Sequence, residues 1–290
     1  MKTIKFLGTI LCVVLVSFAT TSCGGDDETV VVVPGGNTAP TPTPTPTPGT
    51  LKKLIKIVED EYEDGGSDKW TTTYLFNYDE DGRVDYAKKY NGNVAISLDV
   101  SYDDNEIQYN YRTTYSYTTE TFYGEASLRV SDGKLIFAVD DDNNATTNYN
   151  MDYNTAGRIA EWSWSAYSWG ESTSFTWSGD KLVRSISGDA AAGKSDELYF
   201  KYSGKTCKAF NPMLMICYED YLDNFLPLLA QPEWIGAKTT QLFDSYTEED
   251  ETCTLTYTMD ADGYVKKCTA VWKESDGSTD ERDVYTFTWE

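Results

Sequence analysis

The feature that most constrains this chain is a hairpin-turn signal that recurs along most of its length. Tyr78 opens Tyr-Asp-Glu-Asp-Gly-Arg-Val, Tyr102 opens Tyr-Asp-Asp-Asn-Glu-Ile and Val130 opens Val-Ser-Asp-Gly-Lys-Leu-Ile. Tyr153, Trp177, Tyr202 and Tyr257 stand before further turns of this kind, the last of them Asp260-Ala261-Asp262-Gly263. The first six lie 24, 28, 23, 24 and 25 residues apart, and the seventh follows after 55, which leaves room for one insertion. An aromatic strand end, then Asp-Gly or Asn-Gly, then a charged and an aliphatic residue is a hairpin signature. Each period holds two strands and two turns. Repetition of the unit predicts a mainly β chain, an antiparallel meander of roughly 12 to 15 strands that twists until it curls or partly closes like a barrel.

Period-two patterning between the turns agrees. Tyr109, Tyr111, Thr113, Tyr115 and Tyr117 share one face, with Asn110, Arg112, Thr114 and Ser116 on the other. With Gly170-Glu171 read as a two-residue turn, Trp164 falls opposite Trp177 and Ala166 opposite Phe175. Trp162, Trp164, Phe175 and Trp177 then share a face.

The insertion has another texture. Asn211-Pro212 opens a stretch in which Leu214, Cys217, Tyr218, Tyr221 and Leu222 recur at helical spacing, and Phe225-Leu226-Pro227-Leu228-Leu229 continues it. A helical segment near 212–230, running helically through residues 213–224, is expected to cap one end of the sheet.

The N-terminus reads as an export signal. Lys2 and Lys5 precede an apolar run over residues 6–19, the length of a signal-peptide core and short for a bilayer span. Thr20-Thr21-Ser22-Cys23-Gly24-Gly25 then resembles a bacterial lipobox, which implies cleavage after residue 22 and acylation of Cys23. Several acyl chains on one residue give stable attachment to a lipid bilayer. Asp26, Asp27 and Glu28 resemble a surface-export signal, so the expected location is the outer membrane, facing the cell exterior. Residues 23–50 form a tether: Pro and Thr alternate over 40–48, which favours polyproline II and a stand-off of about 28 Å. Residues 51–290 are the single folded domain.

The tyrosine-rich Asp-Gly-Arg meander, the late apolar helix, the stretch Trp234-Ile235-Gly236-Ala237-Lys238-Thr239-Thr240-Gln241-Leu242 and the terminal hairpin around 257–263 resemble a family of Bacteroides lipoproteins of unknown function described as having a porin-like fold. The resemblance implies a curved or barrel-like β fold and carries over no catalytic residue. A porin-like strand arrangement does not entail a channel, because a membrane barrel needs a lipid-facing apolar band on every strand. The two faces here read Ser, Thr, Glu and Lys against Tyr, Trp and Phe.

Composition narrows the function. The chain has no histidine, which removes Ser-His-Asp and Cys-His catalysis and imidazole metal ligands. Its 47 acidic residues against 24 basic ones give a formal charge of −23, wrong for a nucleic-acid partner. Asp140, Asp141 and Asp142, and less well Asp79 with Glu80 and Asp81, offer hard oxygen ligands for calcium, although turn capping and solubility explain most such acids. Coplanar Trp162, Trp164 and Trp177 either stack on sugar rings or form the buried face; Trp169, beside the turn glycine, is the aromatic expected to be exposed. No spacing singles out a carboxylate pair for glycoside hydrolysis. Among the cysteines, Cys253 and Cys268 flank the 260–263 turn and are expected to bridge across it. Cys207 and Cys217 flank the helix entry as a second pair, and export permits disulfides. These readings point to a non-enzymatic, surface-anchored lipoprotein that binds an extracellular ligand such as a glycan or a surface protein and needs no cofactor. A purely structural envelope role and a glycoside hydrolase are the alternatives.

Overall fold

A computed structural model describes residues 51–290 apart from 64–68, 119–120, 143–145, 167–168, 190–193, 218–224, 249–250 and 276. Residues 1–50, with the signal segment, Cys23 and the tether, lie outside the described residues. The strands are β1 (Leu54–Glu63), β2 (Lys69–Tyr78), β3 (Val84–Tyr90), β4 (Val94–Asp103), β5 (Glu106–Tyr115), β6 (Thr121–Ser131), β7 (Lys134–Asp142) and β8 (Thr146–Tyr153). They continue as β9 (Ile159–Ala166), β10 (Trp169–Ser178), β11 (Lys181–Asp189), β12 (Lys194–Lys201), β13 (Ser245–Glu248), β14 (Glu251–Met259), β15 (Val265–Lys273) and β16 (Thr279–Trp289). Each pairs antiparallel with its sequence neighbours, and β1 pairs with β16, so all sixteen close into one barrel. Closure leaves no free edge to template aggregation. The strand beyond the expected number is β13, whose four residues are too few to show an alternation.

The recurring turn signal builds one rim. Asp79 N–H donates to Arg83 O and Gly82 N–H to Asp79 O, and Asn154–Arg158 and Asp260–Tyr264 repeat this pair of bonds; Glu274–Ser278 repeats it at the opposite rim. The turn glycines Gly82, Gly157, Gly263 and Gly277 have φ between 71° and 90°, where a Cβ is disfavoured. Asp79, Asn154 and Asp260 also accept backbone N–H bonds through their side chains. Asp79 and Asp81 are therefore engaged in turn chemistry: the Arg83 guanidinium meets Asp79 at 2.8 Å and Asp81 at 3.1 Å.

The aromatic before each turn does more than end a strand. Tyr78 Oη donates to Leu54 O at 2.7 Å, Tyr102 to Val84 O at 2.8 Å and Tyr202 to Leu182 O at 2.8 Å. Tyr153 reaches Leu135 O and Tyr257 reaches Phe243 O in the same way. Trp177 and Trp289 use their indole N–H on Ile159 O and Val265 O, both at 2.7 Å. Each bond ties the end of one strand to the start of the strand before it. Among the described residues it occurs in seven of the eight successive hairpins, and the exception is β5–β6, where Val130 stands in the aromatic's place. The basic residue preceding each of five acceptor aliphatics lies over the same ring: Lys53 on Tyr78, Arg83 on Tyr102, Lys134 on Tyr153, Arg158 on Trp177 and Lys181 on Tyr202. Burial pushes the Tyr78, Tyr102, Tyr153 and Tyr202 hydroxyls above their ordinary range, so they stay protonated donors.

The insertion fills the barrel from this rim. Helix α1 (Pro212–Ile216) is capped by Asn211, whose side chain accepts from Met213 N–H, and α2 (Pro227–Ala230) leads into a 3-10 turn, Pro232–Ile235. The helical spacing read through residue 224 is realised only to Ile216, where Cys217 caps the helix; 218–224 lie outside the described residues. Met213, Leu214, Met215, Phe225, Leu226, Leu228 and Leu229 are buried. Gln231 Oε1 accepts from Val84 N–H and the Tyr102 hydroxyl, and Arg158 donates to Gly236 O and Lys238 O. Gly236 combines φ 64° with a position where a Cβ would sit 2.3 Å from Gly157 O, so only glycine lets the plug seat against the turn.

Two expectations are corrected by register. Trp169 opens β10 opposite Ala166, and Gly170 pairs with Ser165, so Trp164 faces Glu171 and Trp162 faces Thr173. The slip is by an even number of residues, so the faces themselves are preserved. Cys253 lies opposite Trp272 and Cys268 opposite Tyr257, about 13 Å apart along the strands. The expected Cys253–Cys268 bridge is therefore out of reach, and all four described cysteines are free thiols.

Removing one latch hydroxyl tests this account. Tyr202→Phe is expected to lower unfolding free energy by about 1 kcal/mol in urea titrations, while Tyr199→Phe, on the exposed outer wall, changes it by less than about 0.5 kcal/mol. A pH series tests the turns. The Asp260 carboxyl is held below its ordinary value by the N–H groups of Tyr264 and Asp262 and by Lys52. A depressed folded-state pKa contributes stability above the unfolded value that is lost as pH falls through the folded one. The melting-temperature difference between wild type and Asp260→Ala is expected to be constant from pH 8 to 5 and to shrink below about pH 4.

Candidate functional site

Inner and outer walls differ sharply in chemistry. The outer positions of β14 are Thr252, Thr254, Thr256 and Thr258, and those of β15 include Lys267, Thr269 and Lys273. Those of β5 are Gln108, Asn110, Arg112 and Thr114. The inner positions on the same strands are Cys253, Leu255 and Tyr257; Cys268, Ala270 and Trp272; and Ile107, Tyr109 and Tyr111. This is the reverse of a membrane barrel, whose apolar band faces out.

The tryptophan row lies inside. Trp162 is 7% exposed, and its ring meets Phe225 of the plug at 6.2 Å and Tyr149 edge-on at the same distance. Trp164, Phe175 and Trp177 are half-buried beside it and face Leu214, Met215, Ile235 and Ala237 across a space of about 30 Å³. That volume admits a water molecule and no sugar ring. The row is thus the wall against which the plug packs. Trp169 is placed by its backbone alone, as are Asp140, Asp141 and Asp142, which pair with Ala126, Glu125 and Gly124 at the end of β7. Their side chains lie outside the described residues. Among the described residues, no three Cys, Asp or Glu converge as a metal site would require.

Exposure rises along the inner face toward the far rim. On one stripe of β5, Tyr109 is 2% exposed and Tyr111 7%, Tyr115 is half-buried, and Tyr117 just beyond reaches 65%. Tyr115 stacks on Tyr117 with centroids 5.7 Å apart and meets Phe122 edge-on at 5.3 Å. Tyr111 lies across Gly124, where a Cβ would stand 2.2 Å from its ring, so the glycine makes room for the phenol. Trp70, an inner-face residue of β2 at the same rim, is also exposed.

Toward the same rim, the inner wall on β13, β14, β16 and β1 is acidic. Glu59, Glu61, Glu248, Glu251, Glu281 and Asp283 occupy inward register positions. Asp283 is buried and accepts from the Tyr285 hydroxyl, and Glu59 accepts from the Tyr74 hydroxyl at 3.2 Å. Lys89, over the Tyr74 ring, is a cation on the same face. Carboxylates and phenols of this kind accept and donate hydrogen bonds to polyhydroxylated ligands, and exposed rings supply flat apolar faces.

Sequence reasoning reached Tyr115 and Tyr117 as members of the β5 stripe but missed Phe122, Trp70 and the acidic inner wall. Their signal is present in the alternation of β1, β2, β6 and β16, yet alternation does not say which face is the lumen or how far the plug reaches into it.

No protein-family model matches the chain, and no curated protein does either. Solved structures are similar to it, two of them as follows. A porin-like protein from Bacteroides uniformis ATCC 8492 shares 17% identity at a TM-score of 0.60, covering 83% of this chain and 98% of that one. A porin-like protein from Bacteroides vulgatus ATCC 8482 shares 12% identity at a TM-score of 0.53, covering 82% and 99%. The fold is that of a porin-like barrel. The expectation of a porin-like β fold holds at the level of architecture.

Plug and lip differ in what they carry. Phe225→Ala, at the centre of the plug packing, is expected to cost about 3–5 kcal/mol of stability, whereas Tyr117→Ala should leave chemical denaturation within about 0.5 kcal/mol of wild type.

Proposed function

We propose that this protein is a lipid-anchored outer-membrane protein, displayed at the cell surface, that binds a carbohydrate at the rim opposite its plug without turning it over. The observation that carries the reading is the aromatic lip of half-buried Tyr115 with exposed Tyr117 and Phe122, on a rim whose inner wall carries acids on other strands. Aromatic faces stack on the C–H faces of pyranose rings, and paired carboxylate oxygens accept sugar hydroxyls. The polar outer wall suits a barrel that stands in water, and a lipidated Cys23 on a proline-rich tether would attach it to the bilayer without insertion. The absence of histidine and the engagement of tryptophans and turn acids in structure leave binding as the chemistry the lip supports best.

The purified protein titrated with a polysaccharide panel, read by intrinsic tryptophan fluorescence and retardation in glycan-loaded native gels, tests the reading. A saturable response to one glycan class is expected, weakened about tenfold or more by Tyr117→Ala at unchanged melting temperature. In cells, Cys23→Ser should move the protein out of the membrane fraction. Silence across host, dietary and microbial glycans would overturn the carbohydrate reading in favour of a structural role in the envelope.

A further inference from the structure

The outer wall is divided by charge. On six adjacent strands, β14, β15, β16, β1, β2 and β3, the outward paired positions carry Lys267, Lys273, Arg282, Lys56, Lys69 and Lys88. Among the described residues, Asp60 is the one carboxylate at such a position on these strands, and it pairs with Lys69 at 2.9 Å. The other five cations are in no ion pair among the described residues; Arg282 lies over the Tyr62 ring at 4.2 Å and Lys88 over Tyr90 at 5.2 Å. Lys69, Lys267, Lys273 and Arg282 are exposed. The outward threonines of β14, with Thr269, Thr286 and Thr288, stand between them as hydroxyl donors. On β4 to β12 the outward positions carry acids throughout, with Asp99, Glu106, Glu125, Asp152, Glu161 and Glu197 among them.

Six strands at about 4.8 Å spacing make a basic face about 24 Å wide. That exceeds the screening length of about 10 Å at 0.1 M salt. A charged surface laid against the face therefore meets its cations, although the whole chain carries a formal charge of −23. β1 lies within this face and is the strand that residues 1–50 lead into.

We infer that this wall lies against the phosphate-bearing headgroups of the bilayer to which the chain is anchored. The inference rests on the membrane-anchored part of the proposed function and adds which surface meets the membrane. Lysine, arginine and threonine supply the donors that phosphate oxygens accept. The apolar side chains of the face, Val58, Leu75, Val271 and Val284, are half-buried between the cations, so the contact is made at headgroup level without insertion. The tether raises the effective concentration of the wall at the lipid surface to the order of millimolar, which sustains a contact that salt would otherwise release. The barrel then lies on its side, its axis along the membrane plane, and the Tyr117 lip opens parallel to the bilayer.

The test is flotation of the mature chain from residue 23 carrying Cys23→Ser, which no acyl chain can hold to lipid. It is mixed with vesicles of phosphatidylcholine containing about one-third phosphatidylglycerol, or of phosphatidylcholine alone. Flotation with the anionic vesicles at about 20 mM NaCl, release at about 500 mM and no flotation with the neutral ones are expected. Lys56→Gln, Lys267→Gln and Arg282→Gln combined should weaken that partition on the order of a hundredfold at unchanged melting temperature, whereas Arg112→Gln with Arg129→Gln should leave it within about twofold. No flotation, or equal flotation with both vesicles, would overturn the inference. Retention by polygalacturonate without vesicle binding would assign the face to an acidic glycan instead, and low-salt self-association without lipid would assign it to the acidic half of a second copy. The salt series on the unsubstituted wall stands even if the triple variant fails to fold. Fractionation of Cys23→Ser in cells is a separate readout, so anchor and wall fail independently.

Discussion

A barrel of sixteen strands encloses more volume than its own wall side chains fill, and this structure depends on how that volume is occupied. Eight-stranded barrels pack shut on their inward residues; at twice that number the choice is between an aqueous lumen and a plug. Here the inner wall near the turn rim is Leu, Ile, Val, Phe, Tyr and Trp, which water would not stabilise. The insertion supplies the missing partner surface. Phe225 sits among Tyr109, Tyr149 and Trp162, drawn from three separate strands, so one plug residue couples distant parts of the wall. Removing the plug would expose a hydrophobic tube, and removing the wall would leave short helices that cannot persist alone in water.

The latch bonds solve the companion problem of registering so many strands. A meander of near-identical hairpins is prone to slippage, because a shift of two residues keeps every face correct. An aromatic hydroxyl or indole that must reach one particular carbonyl on the preceding strand penalises such a shift. The stacked Lys or Arg penalises it again. The Asp-Gly turns fix each hairpin end from outside, and the latches fix it from within. The same rim carries the plug: Tyr102 serves Val84 and Gln231, and Tyr153 serves Leu135 and Trp234. Register and plugging are therefore set by one set of side chains.

This explains which parts of the structure were legible in the sequence. The repeat of Tyr78, Tyr102, Tyr153, Trp177, Tyr202 and Tyr257 marked the hairpins because the latch needs an aromatic at each turn, and turn chemistry is local. Face assignment along β5 and across Trp162, Trp164, Phe175 and Trp177 survived a misplaced turn, since alternation has period two and the slip was even. Strand pairing of Cys253 and Cys268 was not legible. Their apparent symmetry about the 260–263 turn ignores the bulge between Thr258 and Met259 and the stagger of the strands. The tryptophan row could not be divided into core and platform by pattern alone, because a stripe of rings looks the same whether a helix or a ligand covers it.

The lip and the acidic wall follow from the same geometry. An inner face begun as Leu54 and Ile57 on β1 continues as Glu59 and Glu61, and on β16 Phe287 and Tyr285 give way to Asp283 and Glu281. On these two strands the apolar residues give way to acids toward the far rim. There the wall changes to groups that need water or a polar guest, and like charges set opposite one another on neighbouring strands cost stability unless something compensates them. A closed, plugged barrel does not by itself call for Tyr117 and Trp70 in solvent. Exposure of this kind, confined to one rim of an otherwise self-consistent fold, sets that rim apart from the plugged core.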